Sequence, residues 1–232
     1  MNSYSFTLAG AALTLLPSGA LLWSAEAMLV VSDLHLGKSE RFARRTGTLL
    51  PPYETRETLA RLDADIQATA PRTVLCLGDS FDDAEAAAAL AEEDLSWLTR
   101  LMAGRSWLWI EGNHDPGPLA LGGSHLAQHR AGPLTFRHIA EPGAEAEISG
   151  HYHPKARLAA RGESLTRPCL LHDAARAILP AYGAYTGGLS CADPVLLSLM
   201  REDARAVLLG APPRAVPLIS LSGRPRASTS SR

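Results

Sequence analysis

The sequence predicts a mixed α/β domain, and three observations predict it. Short apolar runs alternate with longer helical patterns through the first half of the chain. Several of those runs stop at an Asp, Asn or His, and beyond Pro116 strand candidates follow one another with few helices between them. The last pattern implies a second, largely antiparallel sheet packed on the first. With 232 residues, 46% hydrophobic and 20% charged, the chain suits one domain with a large core, expected over residues 1–210. Residues 211–232 read as a tail whose last ten, Ser- and Arg-rich, are expected to be disordered.

In order, residues 4–8, 13–16, 20–23 and 28–32 read as successive strands, the last running into Asp33. Pro51-Pro52 precedes a helix over 54–70, where Leu59, Leu62 and Ile66 recur at helical spacing with charges between them. Residues 73–77 form the next strand and stop at Gly78-Asp79. The alanine-rich stretch 83–103 reads as a helix with Gly104 as its C-terminal cap, and 106–110 as a strand ending before Gly112-Asn113-His114-Asp115. Residues 134–137, 146–149, 156–160, 165–171, 177–179 and 205–209 are the later strand candidates. The repeated order, strand then polar ligand then helix, puts the ligands where neighbouring strands end and their loops converge.

Composition narrows the function. The net charge of −2, from 22 basic and 24 acidic residues, supplies no global attraction to nucleic acid or anionic membrane, so a polyanion must meet a local patch. Only Lys38 and Lys155 are lysines. Cys76, Cys169 and Cys191 lie far apart, match no paired metal or redox pattern and fit a reducing, cytoplasmic compartment. The apolar stretch 8–31 lacks a basic leader, is broken by Pro17-Ser18-Gly19 and runs straight into Asp33, so it reads as strands rather than a signal peptide.

Five pieces carry the chemistry: Asp33-Leu34-His35, Gly78-Asp79, Gly112-Asn113-His114-Asp115, His138, and Gly150-His151-Tyr152-His153. Together they supply the oxygens and imidazoles of a site for two divalent cations about 3.5 to 4 Å apart, the arrangement used to hydrolyse phosphate esters. Asp33 and Asp79 could instead be helix caps, but a cap needs neither a histidine two residues later nor a preceding glycine. In 150–153, an extended segment would turn both imidazoles to one side and Tyr152 to the other. Gly78, Gly112 and Gly150 would allow close backbone approach. Asp82 with Glu85 makes a capping box for the alanine-rich helix and stays outside the ligand set.

These ordered pieces resemble the calcineurin-like metallophosphoesterases, a likeness covering nearly the whole chain to about Gly210. Leu49-Leu50-Pro51-Pro52-Tyr53 with Arg56, Gly78-Asp79-Ser80-Phe81, the run from Leu134 to His138, and the run from Pro180 to Gly188 are similar to the DNA-ligase-associated bacterial subgroup. The resemblance implies a four-layer α/β/β/α sandwich of two mixed sheets. It implies one metal on Asp33, His35, Asp79 and His153, and another on Asp79, Asn113, His138 and His151, with Mn²⁺ the family's expectation and Fe²⁺, Co²⁺ or Zn²⁺ compatible. His114 would be the general acid, oriented by Asp115, and a hydroxide held between the cations would attack phosphorus in line. Between Asn113 and His151 the family expects one ligand from His125, His129 and His138. His138 follows an alternating run as the other ligands do, whereas His125 and His129 lie in a loop-like region and, with His172, read as surface histidines. The subgroup usually has histidine where Asp82 stands.

The resemblance implies a phosphodiesterase or nuclease acting on DNA, in a damage response beside an ATP-dependent ligase, a helicase and an exonuclease-like partner. A small-molecule or lipid-linked pyrophosphatase with the same metal core is the alternative, though lipid-cleaving relatives usually insert an apolar helical cap where only 117–132 is available. A scaffold that had lost the chemistry would lack His114 or a bridging carboxylate. Arg41, Arg44 and Arg45 form a basic cluster that could guide a phosphate backbone, or could be a solvated helix face. Tyr53, Arg56 and Thr186-Gly187-Gly188 could line the cleft.

Overall fold

The structure, a computed structural model, describes residues 3–47, 53–115, 117, 121–160 and 163–221. Pro51-Pro52, Pro116 and the terminal ten residues lie outside these, as do the side chains of Arg44 and Arg45. The first sheet holds seven strands in chain order: β1 (Tyr4–Leu8), β2 (Ala11–Leu15), β3 (Leu21–Trp23), β4 (Met28–Val31), β5 (Thr73–Leu77), β6 (Ser106–Ile110) and β7 (Ser124–Leu126). Strands β1 to β4 pair antiparallel across short turns, and β4 to β7 pair parallel, with helical crossovers joining β4 to β5 and β5 to β6. Those crossovers contain α1 (Lys38–Thr46), α2 (Tyr53–Thr69), α3 (Ala84–Ala88) and α4 (Glu92–Met102).

The second sheet takes β8 (Gln128–Ala131), β9 (Leu134–Arg137), β10 (Glu147–Ser149), β11 (Lys155–Ala160), β12 (Glu163–His172), β13 (Arg176–Ile178), β14 (Arg205–Leu208) and β15 (Arg214–Pro217). Its spatial order is β15-β14-β12-β13-β10-β9-β8, with β11 paired to β12. Only β9–β10 and β10–β13 are parallel, so the sheet is largely antiparallel, as expected.

Side-chain alternation builds the layers. Val30, Leu75, Leu77, Leu108 and Ile110 point toward Leu134, Phe136, Ile148, Leu170 and Val207 of the second sheet, forming the core between sheets. Their neighbours Leu29, Val31, Val74, Cys76, Trp107 and Trp109 point the other way, against Leu59, Leu62 and Ile66 of α2 and Leu98 and Leu101 of α4. The parallel strands are thus apolar on both faces, the signature of a sheet covered on both sides. A third cluster joins the outer face of the second sheet to Leu196 of α5 (Pro194–Leu199). Four layers result, α/β/β/α.

Four differences from the sequence reading have physical reasons. The helix expected over 83–103 is two, because Asp83 caps α3 by accepting from the Ala86 amide while Glu92, Glu93 and Asp94 start α4 at a new positive end. The region of His125 and His129 is β7 and β8, too short and polar to show alternation, and His125 packs on Trp109 while His129 packs on Phe136. His172 is buried rather than a surface residue, its ring stacked on Phe6 at 4.5 Å. The fold also runs past Gly210, since β15 pairs with β14.

Candidate metal centre

Five strands from the two sheets deliver the site. Asp33 and His35 follow β4, Asp79 follows β5, Asn113 and His114 follow β6, and His151 and His153 follow β10. His138 follows β9, β10's parallel neighbour in the second sheet, so the two sheets meet at this edge. An added Cβ at Gly78 would collide with the His138 ring, and one at Gly112 with Asp79, so only glycine permits these approaches.

Two donor groups form there. Asp33, His35 and His153 converge, with His35 Nε2 3.4 Å from His153 Nε2 and His153 Nε2 3.2 Å from Asp33 Oδ1. Asp79, His138 and His151 form the second, with His138 Nε2 3.4 Å from Asp79 Oδ2 and 3.2 Å from His151 Nδ1. Asn113 Oδ1 joins it, 2.9 Å from His138 Nε2. Every metal-ligand candidate read from the sequence is therefore brought together, His138 rather than His125 or His129 among them. Asp79 also touches the first group through its backbone, its carbonyl accepting from the His35 amide at 2.9 Å.

Supporting bonds set the tautomers. His138 Nδ1 donates to the Leu77 carbonyl at 2.9 Å and His35 Nδ1 lies 3.1 Å from Asp82 Oδ1, bonds that turn each Nε2 toward its group, where its lone pair would be offered to a cation. Burial raises the Asp33 pKa, but hydrogen bonding to His153 and the charges of His153 and His138 outweigh it and hold the carboxyl below its ordinary range. Asp79 is likewise held low: burial opposes, and His138 and the His114 amide prevail. Burial pushes His138 down, yet Asp79 and Asp33 leave it raised overall. His151 is lowered by burial and by the adjacent His138. Paired carboxylates kept ionised beside imidazole lone pairs are a mixed oxygen and nitrogen donor set that fits two divalent cations.

Three expectations need correction. The 150–153 segment is not extended, for His151 and His153 have φ of 70° and 47°. Its left-handed turns, with the Tyr152 amide donating to the Gly150 carbonyl, aim both imidazoles inward by a different route. Asp115 does not orient His114. Its Oδ2 accepts from the Ser80 and Phe81 amides at 2.8 and 3.2 Å and thereby fixes the turn carrying Asp79. Burial, with the charge of Asp79, pushes the Asp115 carboxyl up to about 6. Asp82 is not the helix cap, because Asp83 takes that place. Asp82 instead lies inside the site, grouped with His35 and His114, its carboxylate 3.1 Å from Arg41 NH1. Gly78, Asp79 and Asp82 match the family's Gly-Asp-x-x-Asp spacing, but Asp82 with Glu85 equally matches a capping box, so the sequence left its role ambiguous.

A family model for the calcineurin-like phosphoesterases matches residues 27–153, a span that contains every one of these residues. The chain belongs to the calcineurin-like phosphoesterase family. No curated protein matches it. The crystal structure of Pseudomonas putida nuclease MPE is similar to it, with 28% sequence identity and a TM-score of 0.73, covering 92% of this chain and 100% of that one. This calcineurin-like phosphoesterase is accordingly a metal-dependent enzyme, and its donor groups are candidates to hold the ions. Among the described residues, no helix is long and apolar enough to cross a membrane.

Proposed function

We propose that this phosphoesterase is a two-metal phosphodiesterase that cleaves DNA. The observation that carries the reading is the position of the donor groups between two open clefts. One cleft, about 400 Å³, is lined by His35, His114 and His153. The other, about 450 Å³, is lined by Asn113 and His138. An open cleft beside each donor group suits a polymer that continues beyond the reacting phosphate. The likeness to a nuclease and the subgroup motifs support the same reading. Residues 121–132 hold β7 and β8 rather than an apolar cap, which disfavours a lipid-linked substrate.

Asp33, His35, His153 and Asp79 would hold one ion, and Asp79, Asn113, His138 and His151 the other, with Asp79 shared. When bound, two such ions supply Lewis acidity toward phosphoryl oxygens and acidify water at neutral pH. The chain's own part is positional. Leu77 and Asp82 aim imidazole lone pairs, Asp115 locks the Asp79 turn, and His114 presents Nε2 to the cleft. His114 Nδ1 is occupied on its far side by the Asp82 carbonyl at 2.8 Å and Arg41 NH1 at 3.0 Å. Nε2 is therefore the atom that can carry a proton to the leaving oxygen. We assign Mn²⁺ as the native metal, on the family's expectation, and a cytoplasmic role in DNA repair beside an ATP-dependent ligase, helicase and exonuclease-like partner, on the subgroup likeness.

The test is purified protein with Mn²⁺ on bis-p-nitrophenyl phosphate, the p-nitrophenyl monoester and a labelled single-stranded oligonucleotide, with His114→Ala as control. Cleavage of the diester and the oligonucleotide is expected. Diester turnover with an intact oligonucleotide would place a small-molecule substrate ahead.

A further inference from the structure

The chain's only two lysines hold the same loop. Lys38 Nζ donates to the Tyr185 carbonyl at 2.8 Å, and Lys155 Nζ donates to the Thr186 carbonyl at 2.7 Å. The loop is pinned again beside the metal centre, where the Tyr182 and Gly183 amides donate to the Ser32 and Asp33 carbonyls at 2.7 and 3.1 Å. Residues 182–188 are thus a strap tied to α1, β11 and the Asp33 turn. Its two cations bond to neutral carbonyls, and among the described residues neither makes an ion pair.

The strap displays an aromatic ring. Tyr185 is 75% exposed and has φ of 56°, a conformation a non-glycine residue keeps only where its surroundings enforce it. Phe42, 42% exposed, lines the cleft that also contains His35, His114 and His153. It lies one helical turn after Lys38, on the same face of α1, and Lys38 is the residue bonded to Tyr185. Rings left in water and cations that make no ion pair are the two elements with which proteins hold single-stranded nucleic acid, by base stacking and phosphate attraction.

We propose that Phe42, in the metal cleft, and Tyr185, in the adjoining cleft that Lys155 also lines, form a base-stacking subsite for a single-stranded nucleic acid running out of the metal cleft across Thr186, with Lys38 and Lys155 attracting its phosphates. This rests on the nuclease reading and adds to it the strand state and the residues that grip it. The test uses the full chain loaded with Mn²⁺, on a single-stranded oligonucleotide and on an abasic chain of equal length. Tyr185→Ala and Phe42→Ala should each raise KM for the oligonucleotide about tenfold, while Tyr185→Phe stays within about twofold. On the abasic chain the same variants should shift KM by less than about twofold. Unchanged KM in both alanine variants, or equal rises on the two chains, would overturn the subsite and leave the nuclease standing. A wild-type protein that turns over bis-p-nitrophenyl phosphate but neither chain would remove the nuclease reading itself.

Discussion

Asp82 ties three side chains together: Oδ1 lies against His35, Oδ2 against Arg41, and its carbonyl against His114 Nδ1. Removing the carboxylate in Asp82→Ala frees the His35 ring to adopt the wrong tautomer. Metal affinity should then fall about 10- to 100-fold, as loss of such an outer partner typically does, read by Mn²⁺ titration calorimetry. An unaltered affinity would mean that Asp82 serves only the α1 contact. His114→Ala should lower kcat about 10²- to 10⁴-fold with the Mn²⁺ stoichiometry intact, the mark of a proton donor that is not a ligand. Most of the candidate ligands were legible because they stand at strand ends beside a glycine or a second candidate, and His138, with neither, because an alternating run leads into it. Asp82 was not, because an Asp three residues before a Glu carries the same signature whether it caps a helix or supports a metal ligand.

Among the elements, β10 and β13 show how the second sheet holds its ligands in place. Glu147, wholly buried, meets Arg176 NH1 at 3.2 Å, and burial raises its carboxyl pKa despite the Arg176 charge. Arg176→Met would leave that carboxylate with Arg137, 3.3 Å away, as its one remaining cation, on the strand that leads to His151. A loss of about 1 to 3 kcal/mol is expected in urea denaturation, and no loss would show that Arg137 alone is enough or that Glu147 takes up a proton. On β12, burial and the nearby Arg205 lower the pKa of His172 from its usual 6.5. As pH falls through that value the unfolded chain gains a proton the folded one resists, so stability should decline below it. His172→Phe should flatten that decline, as followed by denaturation midpoints between pH 7.5 and 5.5, about one pH unit either side of the free imidazole pKa. Neither strand contact was foreseeable, since β12 reads as an apolar run whichever sheet face its last residue meets.

For the whole molecule, the metal centre is a concentration of buried charge joining two sheets. Asp33 and Asp79 are nearly free of solvent and several imidazoles face them, an arrangement that cations should complete. Mn²⁺ at about a hundred times its Kd should stabilise the fold by about 2.7 kcal/mol per site, seen as a higher Tm than after chelation. Equal Tm values with and without the ion would sink the binuclear assignment. The layer order was readable because strand alternation and helical spacing are local and repeat. The short or interrupted pieces, β7, β8, α5 and the break between α3 and α4, were not, since each contains too few apolar residues to display a period.

By itself the sequence determined which strands end in ligands, because the chemistry of each piece is written within a few neighbouring residues. Tertiary structure decided which side chains converge in one donor group. The His151 amide reaches Asp33 across 118 positions, and His138 reaches Asp79 from the opposite sheet. Such meetings depend on how two sheets stack, and no local spacing encodes that. The same stacking decided that two isolated lysines would hold one loop, and that Asp82 would face a histidine rather than a helix end.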